Sequence, residues 1–274
     1  MRRDHKMIGT RKLYDKLQPF LSEHCIKIGR DALFDLLAAN KLLVKKRKRR
    51  VQTTYSNHWL RKYPNLIRDL SPKRINQLWV SDITYWKINT GSHLYISLIT
   101  DAFSRKIVGW QVAETMEAVE SIAALQMALA ALRGAAAPLQ LTHHSDRGIQ
   151  YCSGKYVKLL QDYEIAISMT ENGDPLENAI AERVNGIIKE EYLNHYHTSN
   201  LEEAKKQVAK AIDLYNEDRP HMSIGNFTPN TIHTTKEIKP ERLWKNYYKK
   251  VNTFEHEPGE KPIPIGKLIP GLII

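Results

Sequence analysis

The stretch LWVSDITYWKI (78–88) decides the fold, because a basic and helical beginning of the chain gives way there to a succession of strands. Its β-branched and aromatic residues alternate with other residues, which is typical of a β-strand with one buried face. Asp82 lies on the same face of this strand as Val80 and Trp86. An unpaired carboxylate among apolar neighbours costs free energy, so Asp82 indicates a metal ion or a positively charged partner.

Patterns downstream of this strand predict the rest of an α/β sheet. Two more strands follow after short turns, which predicts an antiparallel meander. A helix from about residue 117 to 133, capped by Thr115, leads to a fourth strand, a helix and a fifth strand. Two further helices are predicted over about 177–192 and 201–215. The strands and the short helix between the last two are HLYISLITDAF (93–103), RKIVGWQVAE (105–114), LQLTHH (139–144), GKYVKLLQDY (154–163) and EIAISM (164–169).

The order of these elements, βββαβαβα, favours one fold class. A strand–helix–strand crossover usually makes its two strands parallel neighbours. Three antiparallel strands followed by parallel ones, with helices on both faces, form the ribonuclease-H-like α/β arrangement with a mixed sheet. In that arrangement the first and fourth strands are neighbours.

The positive charge of the chain is concentrated near its N-terminus. The net charge is +11, and residues 1–75 hold 20 Lys and Arg against 6 Asp and Glu, whereas residues 76–274 hold 21 against 24. Localised positive charge is the electrostatic footprint of a protein that binds a polyanion. Nucleic acid is the commonest such partner, so the first quarter of the chain predicts DNA or RNA binding.

Two short helices are predicted within this basic segment, over 11–22 and 30–39, and together they resemble a helix-turn-helix. A run of six basic residues, KKRKRR (45–50), follows them. A charge run alone is often a solvated tail or a localisation signal, but after a helix-turn-helix it indicates contact with DNA phosphates. The expected DNA-binding residues here are Arg11, Lys12, Lys45, Lys46, Arg47, Lys48, Arg49 and Arg50.

Composition argues against a membrane-spanning protein and against a disulfide or zinc framework. Mean hydropathy is −0.47, and no stretch approaches the roughly 18 apolar residues of a membrane span. The basic start lacks the apolar run of a signal peptide. Cys25 and Cys152 are far apart and form no metal-binding pair. These features predict a soluble cytoplasmic protein.

Three carboxylates fall where this topology would bring them together. Asp82 lies in the first strand, Asp146 directly follows the fourth, and Glu182 lies about one turn into the long helix. Attack on a phosphodiester requires that the attacking and leaving oxygens be stabilised together, which two Mg²⁺ ions about 3.5–4 Å apart can do. Because Mg²⁺ prefers oxygen ligands, these three side chains are the predicted catalytic metal ligands, with the first of them bridging both ions.

Neighbouring residues leave alternatives open. Any single acid among the 30 in the chain is usually a solvated surface charge. Asp101, at the end of the second strand, is the rival of Asp82 for the first position. Gly148 is predicted to allow a tight turn through its conformational freedom. His144 either contacts substrate or is a hydrogen-bonded structural residue, and Asn178 either contacts substrate or caps a helix.

Three blocks of sequence carry a resemblance to a known family: WVSDITY (79–85), HSDRGIQY (144–151) and ENAIAERVNGIIKEE (177–191). They resemble the catalytic blocks of insertion-sequence transposases of family three, whose core is similar to that of retroviral integrases. Thirty-five residues separate Asp146 from Glu182, which is the spacing typical of that group. The chain resembles the product of the downstream reading frame (OrfB) of such an element.

This resemblance covers about residues 8–232 and implies a domain organisation. A helix-turn-helix-like DNA-binding domain is expected over 1–50, a linker over 51–76, an integrase-type catalytic core over 77–232 and a C-terminal tail over 233–274. The core is expected to carry the chemistry and the basic domain to bind DNA.

The activity implied by the resemblance is metal-dependent DNA cleavage and strand transfer, with Mg²⁺ as cofactor and Mn²⁺ as its substitute. Lys189 follows Glu182 by seven residues and is expected to contact the DNA backbone near the metals. The implied partners are double-stranded DNA at the element ends and the target, further copies of the chain on that DNA, and the upstream-frame product as a fusion. The implied location is the bacterial cytoplasm, at the nucleoid.

Three other functions are compatible with part of these sequence features. A non-catalytic DNA-binding regulator or a truncated transposition inhibitor would share the fold, but neither would require all three acids. A retroviral-type integrase would carry a zinc module with paired histidines and paired cysteines, which His5, His24 and Cys25 do not form. A nuclease of the ribonuclease H type fits the fold, although the basic N-terminal segment favours duplex DNA.

Overall fold

Five strands and eight α-helices form the part of the chain that the computed structural model describes, which is residues 4–44 except 6, 58–132 except 69, 140–171, 175–235, 238, 240 and 241. No helix within these residues is long and apolar enough to cross a membrane. The strands are β1 (Leu78–Lys87), β2 (His93–Asp101), β3 (Ile107–Ala113), β4 (Thr142–Ser145) and β5 (Ala166–Met169). The α-helices are α1 (Thr10–Glu23), α2 (Arg30–Ala39), α3 (Ala118–Ala130), α4 (Ile149–Cys152), α5 (Gly154–Asp162), α6 (Ala179–Ile187), α7 (Leu201–Asp213) and α8 (Pro229–Thr234).

The described strands form a mixed sheet in the order β3-β2-β1-β4-β5. β1 pairs antiparallel with β2, and β2 with β3, so the meander expected from the short turns is present. β1 pairs parallel with β4, and β4 with β5, as crossover connections favour. The predicted ribonuclease-H-like arrangement is confirmed, and it places the first and fourth strands side by side.

Apolar side chains cover both faces of this sheet. On one face, Trp86 of β1 belongs to a cluster that includes Val184 of α6 and Val208 of α7. On the other face, Trp79 belongs to a cluster that includes Leu125 of α3 and residues of α5. Alternate residues of β1 therefore enter different layers of the core, because successive side chains of a strand point to opposite faces.

Gly109 allows α3 to lie close against β3. A Cβ atom at this position would come within 2.2 Å of the Ala124 carbonyl oxygen and 2.9 Å of the Ala128 Cβ. A backbone oxygen of a packed helix cannot move aside as the end of a flexible side chain can. Any side chain at Gly109 would therefore push the helix away from the sheet.

The long helix predicted over 177–192 is irregular. It begins with a 3₁₀ turn at Pro175–Asn178, continues as α6 and ends in a π-helical turn at Ile188–Tyr192. A π turn adds a residue to the helical repeat, and both Ile188 and Tyr192 stay buried across it. Apolar periodicity over a long window predicts the helix but does not detect this local change.

Two other local predictions differ from the structure. Thr115 does not cap α3, because Glu117 occupies the N-cap position and its side chain makes no capping hydrogen bond. The short helices α4 and α8 lie in stretches where the sequence patterns predict no helix. Four to six residues span too little of the helical period to be recognised from sequence.

The two predicted N-terminal helices are present as α1 and α2. Their contact is formed by buried apolar residues that include Leu13 and Leu33, with Ile8 of the preceding segment. Lys16 of α1 donates from Nζ to the Asp218 carbonyl oxygen at 2.8 Å. The first helix is therefore joined to the chain that follows α7.

We expect Gly109→Ala to lower the free energy of unfolding by about 1–3 kcal/mol, because overpacking strains the elements in contact. Thermal and urea denaturation measure this change. Gly154→Ala is the matched control, since nothing lies within 4 Å of a Cβ at Gly154. Equal melting temperatures for the two variants would contradict the close packing of α3 on β3.

Candidate active site

Asp82 lies in the middle of β1, the central strand, and its side chain is half-buried. Asn185 of α6 donates from Nδ2 to Asp82 Oδ2 at 2.8 Å. The backbone N–H of Ile83 donates to Oδ1 at 2.9 Å. Each carboxylate oxygen thus has one fixed donor, which orients the group.

Asp146 follows β4 directly, beside the strand that carries Asp82. β1 and β4 run parallel, with Val80 opposite His144. Two residues further along each strand come Asp82 and Asp146, so the strand geometry places both carboxylates at the same end of the sheet. The Gly148 N–H donates to Asp146 Oδ1 at 2.9 Å and holds this side chain in turn.

Gly148 provides space and not an unusual backbone conformation. Its φ is −60°, which any residue adopts, so the predicted role of conformational freedom is wrong. A Cβ at this position would lie 2.9 Å from Asp146 Oδ1 and 3.1 Å from Gln150 Oε1. The lack of a side chain therefore lets the Gly148 N–H reach the carboxylate.

The spacing of side chains on α6 turns Glu182 toward β1. Asn178, four residues earlier, donates from Nδ2 to the Ser81 carbonyl oxygen at 3.0 Å, and Asn185, three residues later, donates to Asp82. Residues separated by three or four positions lie on one helix face, so Glu182 lies between two side chains that contact β1. Asn178 makes no side-chain cap, and its amide ties the helix to the strand instead.

The charges of the three carboxylates act on one another. The pKa of Asp82 is raised to about 7, first by burial and then by the negative charge of Asp146, with a smaller contribution from Glu182. The hydrogen bonds from Asn185 and from the Ile83 N–H oppose this rise without cancelling it. Negative charge held together against its own repulsion is what a divalent cation would neutralise.

The donor set fits a hard divalent cation, because carboxylate oxygens are the ligands that Mg²⁺ and Mn²⁺ prefer. Within the described part of the chain, no three His, Cys, Asp or Glu side chains are close enough together to form a closed metal-binding cluster. The structure thus brings Asp82 and Asp146 together on adjacent strands. Glu182 lies on the face of α6 that contacts β1, and it raises the pKa of Asp82 less than Asp146 does.

Comparison with known proteins identifies the family. Two models of the integrase core domain match residues 72–175 and 163–229. An uncharacterized 31 kDa protein of insertion element IS600 from Shigella sonnei is 37% identical over 226 residues, which cover 81% of this chain and 82% of that protein. The transposase for insertion sequence element IS629, also from Shigella sonnei, is 33% identical over 226 residues, which cover 82% and 73%. The chain belongs to the insertion-sequence transposases. The family-three resemblance of the three sequence blocks is confirmed.

The transposase shares its fold with a viral protein. A chain of the simian T-cell lymphotropic virus intasome, in complex with PP2A regulatory subunit B56 gamma, aligns with a TM-score of 0.51 over 94% of this chain and 81% of that chain. The two sequences are 17% identical, so the likeness concerns the fold alone. It agrees with the mixed sheet and the element order of the catalytic core.

Asp101, the rival of Asp82, belongs to the turn between β2 and β3 of the transposase. It is fully buried, and its Oδ1 accepts from the N–H and the hydroxyl of Ser104 at 2.7 and 2.8 Å. Its Oδ2 accepts from the Asn76 N–H at 2.7 Å. Three donors satisfy this carboxylate, which leaves Asp82 as the acid that β1 offers to the site.

His144 is a structural residue of the transposase core. It is buried, and its Nδ1 shares a hydrogen bond of 2.8 Å with the Ser168 hydroxyl of β5. Burial lowers its pKa to about 4, so the ring is neutral at physiological pH. Of the two roles left open by the sequence, the hydrogen-bonded structural role is the one observed.

Lys189 belongs to the π-helical turn that follows α6, and its side chain contacts β1 two residues beyond Asp82. Its Nζ donates to Thr84 Oγ1 at 2.9 Å and lies 4.6 Å from the centre of the Tyr85 ring. Thr84 follows Asp82 by two residues on the same face of the strand. The ammonium group is therefore held against β1, two residues beyond Asp82.

The other predicted DNA-binding residues are only partly within the described chain. The run KKRKRR (45–50) lies outside the described residues. Arg11 is exposed on α1, and Lys12 beside it is half-buried. Their contact with DNA stays a prediction.

The segment 58–68 of the transposase, predicted to be a linker, docks along β5. The Met169 N–H donates to the Pro64 carbonyl oxygen at 3.3 Å. His58 Nε2 forms a hydrogen bond of 2.8 Å with the carbonyl oxygen of Arg147, the residue after Asp146. The sequence prediction of a linker did not use the stretch HWLRKY at the start of this segment. This stretch mixes aromatic and basic residues, which are the residue types that contact nucleic acid.

We expect Asp82→Asn to stabilise the metal-free transposase above neutral pH. A carboxyl group whose pKa is raised in the folded state contributes stability below its unfolded pKa of about 4 and loses it as pH rises through the folded value, here about 7. In EDTA, the melting temperature of the unaltered protein should therefore fall between about pH 4 and about pH 7 relative to that of the variant. Magnesium should then raise the melting temperature of the unaltered protein more than that of Asp82→Asn, because it binds the folded state.

Glu114→Gln is the matched control for this comparison, since Glu114 is an exposed acid just beyond β3. It should follow the unaltered protein in both buffers. Parallel pH curves for the unaltered protein and Asp82→Asn, with equal responses to magnesium, would contradict the crowding of negative charge at Asp82.

Proposed function

We propose that this transposase cuts and joins DNA strands by a DDE-type reaction, in which Asp82, Asp146 and Glu182 hold two divalent cations. The observation that carries the proposal is that the helix face around Glu182 contacts β1 at Asp82. Asn178 donates to the Ser81 carbonyl oxygen, and Asn185 donates to the Asp82 carboxylate. Bound Mg²⁺ or Mn²⁺ would lower the pKa of the attacking water and stabilise charge on the attacking and leaving oxygens.

Each carboxylate has a distinct position in the proposed site. Asp82 would hold the cations together with Asp146 on the adjacent strand, and the charge of Glu182 on the facing helix also acts on its carboxylate. Asn185 and the Ile83 N–H hold its two oxygens in place. Glu182 would complete the set from the face of α6 that contacts β1, and a bound cation would offset the repulsion among the three negative charges.

The reaction consists of two phosphoryl transfers at the same site. In the first, a water oxygen bonds to phosphorus at the element end, the bond from phosphorus to the 3′-oxygen breaks, and the released 3′-oxygen takes up the proton that the water loses and becomes a 3′-hydroxyl. In the second, this 3′-oxygen bonds to a phosphorus of the target strand, and the displaced 3′-oxygen of the target takes up the proton. Each step forms one P–O bond and breaks one, so no Ser or Tyr nucleophile is required.

Two basic side chains are placed to contact substrate phosphates. Arg147 follows Asp146 directly, and its Nε is buried without a hydrogen-bond partner among the described residues. Lys189 contacts Thr84 and Tyr85, which follow Asp82 on β1 by two and three residues. These two positive side chains would hold the phosphates of a DNA strand at the carboxylates.

The same proposal gives the rest of the chain its roles. Residues 1–50 bind DNA as a helix-turn-helix-like domain, 51–76 connect, 77–232 form the catalytic core and 233–274 are a tail. The positive charge of the first quarter of the chain supports this division. The substrates are double-stranded element ends and target DNA, on which copies of the chain assemble at the nucleoid, and fusion to the upstream-frame product supplies recognition of the ends.

We expect Asp82→Asn, Asp146→Asn and Glu182→Gln each to reduce strand transfer by more than about a hundredfold, which exceeds the usual effect of altering residues behind the metal ligands. The reason is that each substitution keeps the shape of the side chain and removes the charge that binds the cation. The assay uses a labelled duplex copied from the DNA that flanks the gene, a plasmid target and Mg²⁺, and it separates end cleavage from joining.

Glu114→Gln is again the control and should retain full activity. Binding of the duplex in EDTA should stay within about twofold for all variants, since phosphate contacts come from basic residues. Strand transfer that persists in Glu182→Gln would overturn the role of the helix carboxylate, and persistence in all three variants would overturn the DDE reaction.

A further inference from the structure

Trp59 has an unusual position for a tryptophan, with 91% of its surface exposed to solvent. Trp79 and Trp86 of the sheet are buried, as is normal for this side chain. An isolated exposed apolar side chain can be incidental, so the surroundings of Trp59 decide whether it has a role. Three features of these surroundings bear on that question.

The first feature is that the chain on both sides of Trp59 is anchored. His58 is hydrogen-bonded to the Arg147 carbonyl oxygen at 2.8 Å, and Leu60 packs against the apolar cluster beneath α3 and α5. Tyr63 packs against the same cluster. The indole ring of Trp59 therefore projects from a fixed segment of chain.

The second feature is proximity to the proposed active site. His58, the neighbour of Trp59, contacts the carbonyl group of the residue that follows Asp146. Trp59 is thus the next residue along the chain after a residue that contacts the loop carrying Asp146. A DNA strand whose phosphate reached Asp146 would pass the surface where Trp59 stands.

The third feature is charge. The segment 58–68 contains no acidic residue, and Arg61 and Lys62 are exposed next to the ring. The Arg61 guanidinium lies 5.0 Å from the centre of the Tyr63 ring, which holds it at the surface. An exposed aromatic ring flanked by cations is the arrangement that binds single-stranded nucleic acid, through base stacking and phosphate contacts.

We propose that Trp59 stacks on an unpaired base at the DNA end that is processed at Asp82 and Asp146, while Arg61 and Lys62 contact the flanking phosphates. This inference rests on the proposed function, because it assumes that DNA occupies the carboxylate site. Separation of the strands at the end would expose the scissile phosphate to the carboxylates. Trp59 would then act as a positioning residue for the substrate strand.

The test uses the full chain and the duplex copied from the DNA that flanks the gene, with the fluorescent base 2-aminopurine at the terminal position. Binding is measured in the Asp82→Asn background, so that cleavage does not interfere. We expect the base to be quenched in that background, and Trp59→Ala to abolish the quenching and weaken binding about tenfold. Trp59→Phe should retain most of the effect, since it keeps an aromatic face.

Tyr163→Ala is the matched control. Tyr163 is also an exposed aromatic residue, but it precedes β5 and so lies at the end of the sheet opposite the carboxylates. In single-turnover cleavage with Asp82 intact, Trp59→Ala should be slow on a paired end and recover on an end that is already mismatched. The control should behave like the unaltered protein on both.

Several outcomes would overturn the inference. Quenching and cleavage in Trp59→Ala equal to those in Tyr163→Ala would remove any role of the ring in DNA contact. If Trp59→Ala changed the sedimentation of the DNA-free protein but left the quenching of 2-aminopurine intact, Trp59 would instead belong to a contact between protein chains. Failure of the proposed function gives a different signature, because Asp82→Asn would then keep strand-transfer activity whatever Trp59 does.

Discussion

Parallel pairing of β1 with β4 is the constraint on which the site depends. It sets Val80 opposite His144, and two residues later it leaves Asp82 and Asp146 side by side. Burial, and then the like charge of Asp146, disfavours the ionised form of Asp82 and raises its pKa to about 7. The apolar core on both faces of the sheet holds the strands in this register, so the fold itself keeps the carboxylates together without a cation.

Two asparagine side chains position helix α6, which carries Glu182, against β1. Asn178 and Asn185 tie the helix to β1, and Glu182 lies on the face between them. The π-helical turn that follows α6 carries Lys189 to the same strand. The helix is therefore fixed at several points along one strand, and the residue between the two asparagines is Glu182.

The fold could be predicted from the sequence because it leaves regular signals. Alternation marks the strands, and crossover connections set their order. Asp82, Asp146 and Glu182 are predicted mainly from the three blocks that resemble the family, and their role as metal ligands stays a prediction. The interactions that build the site leave no such signal. The bond from Asn185 to Asp82, the space beside Gly148 and the contact of His58 with Arg147 each join residues through geometry that periodicity does not encode.

The central claim is that Asp82, Asp146 and Glu182 together hold two divalent cations. A crystal structure of the transposase with Mn²⁺ and element-end DNA, with the metals located by their anomalous scattering, tests it most directly. We expect two peaks about 3.5–4 Å apart, with Asp82 in contact with both and the other two acids in contact with one each. Peaks bound elsewhere, or a Glu182 side chain in contact with neither metal, would contradict it.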